Sequence, residues 1–224
     1  MKVKLLAHTP EPEKTVALAA RMCYSNRGVD NLQESLTPAE VDRMVKMLTE
    51  VGHLSPTEHA SFTFAVEGIS RACSHQLVRH RIASYSQKSQ RYTSDEQFEY
   101  IVPPSIARDP EALSLFEREM KSIQESYRRL AEVVPREDAR YVLPNATETK
   151  IVLTFNTRSL YNFFAQRLCL RAQWEIRELA ELMLREVQAV APLLFSRAGP
   201  SCEVYGICWE GDKSCGRCED IRER

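Results

Sequence analysis

Residues 61–81, SFTFAVEGISRACSHQLVRHR, decide how this chain of 224 residues is expected to begin its fold. Apolar side chains alternate with smaller or polar ones over residues 62–66, which is typical of a half-buried strand, and the strand is expected to end near Gly68. Ser70 follows at once and can cap a helix that runs to about Arg81. The segment therefore predicts a strand that leads directly into a helix.

The rest of the chain divides into similar blocks of strand, helix and loop. Extended segments are predicted at Lys2–His8, at Tyr100–Pro103 and at Ile151–Phe155, and a loop at Asn26–Leu36. One helix is predicted to begin at Pro12, and a second begins with a capping box at Thr37-Pro38 and ends at Gly52. A third is predicted to begin at Asp109-Pro110 and to end at Pro135. A last helical stretch runs from Ser159 to Val190, and a break near Arg171 divides it in two. Because strands and helices occur in blocks rather than in strict alternation, we predict a single α+β domain with a mixed or antiparallel sheet and long packed helices.

The charge pattern indicates a local site for anions. The chain as a whole is nearly neutral, with 30 basic and 31 acidic residues. Residues 68–94 and 149–174 nevertheless contain basic residues and no acidic ones. No stretch approaches the length of a membrane span, so we expect a soluble, cytoplasmic protein that binds neither membranes nor nucleic acid.

Glycine is too scarce in the main body to form a phosphate-binding loop. There is no GxGxxG and no GxxxxGK[ST] motif, and only three glycines precede residue 199. Phosphate groups would therefore have to be held by side chains, and residues 79–91 offer four permanent cations among hydroxyls and amides. If residues 79–81 were helical, Arg79 and Arg81 would point to different faces and serve different parts of a ligand or different subunits.

Histidines and cysteines of the main body permit other interpretations, which the spacing does not favour. His53 and His59 lack an HExxH pattern or a carboxylate set at ligand spacing, so no metal site is predicted. Cys73 and Cys169 are predicted to be buried small hydrophobic residues. Ser89 has no predictable base as a partner, so substrate binding is favoured over a nucleophilic role.

The last 26 residues, 199–224, differ in composition and are treated as a Cys- and Gly-rich tail behind a body of residues 1–198. They contain four of the seven glycines and four cysteines in the pattern C-x5-C-x6-C-x2-C, namely Cys202, Cys208, Cys215 and Cys218. Structural zinc, two disulfides and free or redox-labile thiols are all open, and the last is favoured for a cytoplasmic protein.

Two further functions compete on residue chemistry alone. The basic segments with Tyr85, Tyr92 and Phe98 could stack single-stranded nucleic acid, although the near-zero net charge is against it. A metal-dependent nucleotide hydrolase would need a carboxylate cluster, which the acid-free segments do not provide.

Four spaced motifs resemble the flavin-dependent thymidylate synthase (ThyX) family. Arg79-His80-Arg81 followed after seven residues by Ser89 is similar to the family's RHR-x7-S signature. Residues 52–62 resemble its GHxSPxEHxxF segment, residues 135–140 its PREDAR segment, and residues 156–175 its final block. The resemblance covers about residues 1–195 and implies a ThyX-like fold.

The resemblance also implies the residues that bind ligands. The implied FAD contacts are Ser55, Arg79, His80, Arg81, Gln87, Asn156, Thr157, Arg158 and Asn162. The implied dUMP contacts are Gln76, Leu77, Val78, Arg79, Gln87, Lys88, Ser89, Gln90, Arg91, Arg140 and Arg167. Arg167 is the implied catalytic residue beside the uracil, where an opposite charge favours the N3-ionised ring. Position 87 often carries Glu in the family, and Gln87 keeps the hydrogen bonding while removing a charge.

The activity implied by the resemblance is the reductive methylation of dUMP to dTMP. The one-carbon donor would be 5,10-methylenetetrahydrofolate, and FAD reduced by NADPH would carry the hydride, without an enzyme cysteine as nucleophile. His53 would border the flavin or folate. The resemblance further implies a homotetramer with shared active sites. No implied ligand contact lies in the tail.

Overall fold

A computed structural model of the chain describes residues 1–93 and 97–218. The strands are β1 (Lys2–His8), β2 (Ser61–Ser70), β3 (Ala83–Gln87) and β4 (Glu148–Asn156). The helices are α1 (Pro12–Met22), α2 (Val29–Ser35), α3 (Pro38–Val51), α4 (Arg71–Leu77), α5 (Pro104–Ala107), α6 (Pro110–Val133), α7 (Arg136–Ala139), α8 (Thr157–Arg167), α9 (Trp174–Val190) and α10 (Ser201–Val204). Short 3-10 turns lie at Ser55–His59, Arg140–Val142 and Gly211–Lys213.

The strands form a four-stranded antiparallel sheet in the order β1-β2-β4-β3. Between β2 and β4, the hydroxyls of Thr63 and Thr154 are 2.9 Å apart, and the Gly68 amide donates to the Glu148 carboxylate at 2.8 Å. These pairs run in opposite directions along the two strands, as an antiparallel ladder requires. The prediction of an α+β fold with an antiparallel sheet is confirmed.

The chain divides into two compact units, which are described separately. The first unit comprises residues 1–2, 66–79 and 85–152, and the second comprises residues 3–65, 80–84 and 153–224. The predicted boundary at residue 198 stays a prediction. The described part of the tail belongs to the second unit, and residues 219–224 of the predicted tail lie outside the described residues.

The first unit is organised around α6, which packs against α5 and α7. The Asp109 carboxylate caps this helix by accepting from the Glu111 and Ala112 amides at 3.0 and 3.2 Å, as the sequence predicts. Met120 and Tyr127 are the helix's buried side chains. The periodic apolar residues of α6 therefore do form one inward face.

Phenylalanine rings fill the core of the second unit. Phe62 of β2 meets Phe195 with ring centroids 5.3 Å apart, and Phe155 of β4 meets Phe163 of α8 at 5.8 Å. All four rings are at most 1% exposed. Burial of large aromatic side chains from strand and helix fixes α8 against the sheet, and α8 carries much of the candidate site.

The capping box that begins α3 is present as predicted. The Thr37 hydroxyl accepts from the Glu40 amide at 3.3 Å, and the Glu40 carboxylate accepts from the Thr37 amide at 3.0 Å. Hydrogen bonds from Arg21 and Thr37 lower the pKa of Glu40 to about 2. Gly52 ends the helix at a φ of 72°, in the left-handed region that glycine adopts without strain.

Three local predictions were wrong. The loop predicted at Asn26–Leu36 contains α2, whose single buried residue, Leu32, gives no apolar period to detect. The helix after Ser70 ends at Leu77, so the three basic residues 79–81 are not helical and the argument from helix faces does not apply to them. Strand β3 was not predicted because it lies at the edge of the sheet and its residues, Ala83–Gln87, are mostly polar.

Within the described residues, no helix is both long and apolar enough to cross a membrane.

Candidate active site

A cavity of about 610 Å3 lies in the second unit, within the size range of about 300–1,000 Å3 that is usual for small-molecule sites. Arg158, Asn162 and Arg167, all predicted ligand contacts, line it. Arg171 also lines the cavity, and among the described residues of its lining Glu210 is the only acidic one. Three guanidinium groups against one carboxylate make the cavity suited to an anionic ligand.

Helix α8 brings these side chains to one surface. Arg158, Asn162 and Gln166 follow at intervals of four residues, and such residues share a helix face. The predicted contact Asn156 begins the helix, where its side-chain oxygen accepts from the Ser159 amide at 2.8 Å. Capping fixes the first turn of α8 and with it the position of Arg158.

Thr157, another predicted FAD contact, is fully buried. Its hydroxyl and its amide both donate to the Ala60 carbonyl, at 3.2 and 2.9 Å. These bonds tie the start of α8 to the residue that precedes β2. In this structure Thr157 acts on the site by positioning its neighbour Arg158.

The side chains of Arg167 and His80, both predicted contacts, are joined by a hydrogen bond. The Arg167 Nε donates to the His80 Nε2 at 2.8 Å, so the neutral ring, with its proton on Nδ1, is the form that fits. His80 is 5% exposed and its ring packs edge-on against Phe163 at 5.0 Å. Burial, with a smaller contribution from the Arg167 charge, lowers the pKa of His80 to about 4. The imidazole therefore remains an acceptor at neutral pH and fixes the plane of the guanidinium.

The other predicted FAD contacts of the second unit lie at its surface. Ser55 is exposed at the start of the turn before β2, and Arg81 is exposed in the segment that precedes β3. Arg158 forms an ion pair with Glu58 of the same turn at 2.5 Å. The turn that carries the predicted Ser55 thus contacts the helix that carries the predicted Arg158.

In the first unit, Arg91 and Arg140 converge on one residue, Glu137. The Arg91 Nη2 lies 2.7 Å from the Glu137 carboxylate, and the Arg140 Nε donates to the Glu137 backbone carbonyl at 3.0 Å. Arg91 also lies 5.6 Å from the centre of the Tyr92 ring, within the range of a cation–π contact. Two side chains that the resemblance assigns to dUMP are therefore neighbours in the structure.

The side-chain amide of Gln87 acts as a hydrogen-bond donor. Its Nε2 donates to the Ser74 hydroxyl at 2.9 Å and to the Thr149 hydroxyl at 3.2 Å, and both hydroxyl residues are fully buried. The Ser74 hydroxyl itself donates to the Arg71 carbonyl at 3.0 Å, so it can only accept from position 87. In this structure Gln87 therefore acts as a hydrogen-bond donor to both hydroxyl groups.

The remaining predicted dUMP contacts of the first unit occupy α4, β3 and the segments that follow them. Leu77 is buried, and its carbonyl accepts from the Tyr85 hydroxyl at 2.9 Å. The Lys88 amide donates to the Lys150 carbonyl at 2.9 Å, which extends β3 along β4. The partly or fully exposed members of this group are Gln76, Val78, Arg79, Ser89 and Gln90.

The contribution of the tail to the cavity was not predicted from the sequence. Tyr205 and Trp209 line it together with the four tail cysteines. Cys169, predicted to be buried, is partly exposed and lines the same cavity, because it follows the end of α8 rather than its apolar face. The aromatic residues among the tail's glycines and cysteines were the available signal.

No group of three or more His, Cys, Asp or Glu side chains able to hold a metal ion occurs in residues 1–93 and 97–218. His53 is half-buried and lies 3.4 Å from the Tyr24 hydroxyl through its Nδ1. This contact gives His53 a structural partner.

An α+β chain with an arginine-lined cavity and a second arginine cluster is a protein built to bind anionic small molecules. The family model described as thymidylate synthase complementing protein matches residues 4–193. Proteins named flavin-dependent thymidylate synthase are similar over nearly the full chain. The one from Clostridium tetani is 50% identical over 100% of this chain and 96% of its own length, and the one from Geobacter sulfurreducens is 52% identical over 99% and 97%. The one from Pyrococcus furiosus is 41% identical over 95% and 91%. The chain belongs to this family of enzymes, and the predicted family is confirmed.

Proposed function

We propose that the chain methylates dUMP reductively to dTMP, with 5,10-methylenetetrahydrofolate as the one-carbon donor and NADPH as the reductant. The observation that carries the proposal is the joint lining of one cavity by Arg158, Asn162 and Arg167, with Arg167 oriented by a neutral His80. Membership of the family supplies the reaction class.

The chemistry of the cavity fits FAD. Its guanidinium and amide donors suit the acceptor edge of a flavin ring and a diphosphate, and Tyr205 and Trp209 offer aromatic surface. When bound, FAD supplies the hydride chemistry that side chains cannot perform. Arg158 and Asn162 are proposed to hold it, together with Ser55, His80 and Arg81.

Arg167 is proposed to act on the uracil of dUMP. A fixed positive charge beside the ring favours the N3-ionised form and so activates the ring for carbon–carbon bond formation. His80 keeps the guanidinium in one orientation because it accepts from Nε, and such preorganisation avoids reorientation during the reaction. Arg91 and Arg140 are proposed to bind the phosphate through forked hydrogen bonds.

No cysteine of the chain is proposed as the nucleophile that attacks the uracil of dUMP. Cys73 is fully buried. Burial raises the pKa of the Cys202 thiol, which keeps it protonated and unreactive. The family resemblance further supports a cytoplasmic homotetramer with shared active sites, which sedimentation of the purified protein tests.

The proposal is tested by adding FAD to the purified protein and recording its absorption spectrum. The wild-type protein is expected to bind FAD and then to convert dUMP to dTMP with the folate donor and NADPH. Arg158→Ala is expected to weaken FAD binding about tenfold or more, since a hydrogen bond to a charged group contributes about 1.5–3 kcal/mol. Arg185→Ala is the matched control, because Arg185 is exposed on α9 and does not line the cavity. A protein whose spectrum shows no bound flavin at saturating FAD contradicts the proposal.

A further inference from the structure

The four cysteines of the tail line one cavity of the second unit. Cys202, Cys208, Cys215 and Cys218 are separated by up to 16 residues in sequence, yet all of them line the cavity described above. All four are free thiols. Among residues 1–93 and 97–218, no group of three or more His, Cys, Asp or Glu side chains could hold a metal ion.

Within this cluster, Cys215 and Cys218 differ in the way that an attacking and a resolving thiol differ. Cys215 is exposed, whereas Cys218 is 5% exposed. They form a C-x2-C segment, and Gly216 between them has a φ of 82°, which lets the chain reverse so that both cysteines line the cavity. A small disulfide compound can therefore reach Cys215 first, and Cys218, three residues further along the chain, lines the same cavity.

The neighbouring ion pair holds this segment in place. Arg217 pairs with Glu203 of α10, which anchors the chain immediately before Cys218. Cys202 lies on the same helix and is the competing partner for Cys218. Burial and the Glu203 carboxylate raise the pKa of the Cys202 thiol, so it supplies little thiolate for exchange.

We propose that Cys215 and Cys218 form a reversible disulfide by exchange with a low-molecular-weight disulfide, which makes the tail a thiol-redox site in the cavity wall. The Cys215 thiolate attacks one sulfur of the small disulfide and releases one thiol. The Cys218 thiolate then attacks the Cys215 sulfur of the mixed disulfide and releases the second thiol. The two cysteine thiols are oxidised, and the small disulfide is reduced to two thiols that take up the two protons.

The site has a consequence for ligand binding that rests on the proposed function. The cysteines share the cavity with Arg158 and Arg167. A covalent link across Gly216 and Arg217 fixes the wall that these arginines face. Oxidation of the pair is therefore expected to change the affinity for FAD.

The experiment uses the full chain and oxidised glutathione as the probe. Free thiols are alkylated after exposure, and peptides are mapped by mass spectrometry without reduction. The wild-type protein is expected to show a peptide linked internally between Cys215 and Cys218, which disappears after treatment with a reducing thiol. Cys218→Ser is expected to accumulate a glutathione adduct on Cys215, and Cys202→Ser, the matched control, is expected to form the same internal disulfide as the wild-type protein.

A disulfide that joins Cys202 to Cys218 overturns the proposal. So does glutathione on the exposed Cys23 while Cys215 and Cys218 both remain open to alkylation. The wild-type map needs no variant, so a variant that fails to fold does not prevent the test. A second titration measures FAD binding by the reduced and the oxidised protein. If the disulfide forms but neither state binds FAD, the proposed function fails and the thiol site stands. If FAD binds but no disulfide forms, the thiol site fails and the proposed function stands.

Discussion

Lowering the pH from 7.5 to 5 is expected to destabilise the folded chain through His80. The pKa of this residue falls from 6.5 to about 4 on folding, mainly because the ring is buried. Below pH 6.5 the unfolded chain binds a proton here, and the folded chain does not until about pH 4. The free energy of unfolding therefore decreases as the pH falls through this window. The contribution of the neutral His80 ring to the free energy of unfolding is fully present above pH 6.5 and is lost by pH 4.

The magnitude follows from the pKa difference. One pKa unit corresponds to about 1.4 kcal/mol, so the whole window is equivalent to about 3 kcal/mol and the part above pH 5 to about 2 kcal/mol. Urea unfolding at pH 7.5 and at pH 5 measures this loss. His80→Gln removes the titration and keeps an oxygen where Nε2 accepts from Arg167. The wild-type protein is expected to lose about 2 kcal/mol more than His80→Gln between the two pH values.

A second variant separates the titration from the hydrogen bond. The side chain of His80→Asn is shorter and does not reach the Arg167 Nε. The free energy of unfolding of this variant is therefore expected to be about 1 kcal/mol below that of His80→Gln at both pH values, with the same pH dependence. Equal losses in the wild-type protein and in His80→Gln would contradict the lowered pKa of His80. A midpoint near pH 6.5 for His80 in a proton NMR titration would refute it independently.

Four further variants test other parts of the structure. Arg167→Lys keeps one charge but loses the planar fork and its bond to His80, so single-turnover kinetics should show a rate that falls more than the affinity for dUMP does. Arg91→Ala should mainly raise the KM for dUMP. A wild-type rate for Arg167→Lys rejects the role assigned to Arg167. Gln87→Glu places an acceptor opposite the Ser74 hydroxyl and should lower the free energy of unfolding by about 1–3 kcal/mol, and unchanged urea stability contradicts that polarity. Thr37→Ala removes the capping hydroxyl of α3 and should cost about 1 kcal/mol in thermal or urea unfolding, with no loss meaning that the cap does not contribute.

Helices with both an end signal and an apolar face were predictable from the sequence. The capping box at Thr37 and the prolines around α6 fix where those helices begin or end, and these signals are local. Helix α2 and strand β3 were missed because their identity depends on a single buried leucine or on a neighbouring strand. A pattern in one segment contains no information about its tertiary partner.

The candidate site was predictable where a motif fixes residue types and was missed where distant segments meet. The helix that carries Asn162 was predicted to begin at Ser159, and the structure extends it back to Thr157, so that Arg158 and Asn162 share a helix face. The bond between His80 and Arg167 joins residues 87 positions apart, and no local pattern specifies it. The contact between the tail and the cavity also joins segments that are distant in sequence. The position of Trp209 in the cavity lining could therefore not be predicted from the sequence.

The Glu137 carboxylate, which forms an ion pair with Arg91, competes with the predicted phosphate for that arginine. A ligand that binds Arg91 has to displace a carboxylate that is tethered nearby and returns as soon as the ligand leaves. Both side chains are about half exposed, at 50% and 48%, and such pairs contribute at most about 1 kcal/mol. The competition therefore weakens a ligand by no more than about fivefold. A dianionic phosphate held by two arginines can overcome that, whereas a weakly bound monoanion such as chloride has little advantage over the resident carboxylate.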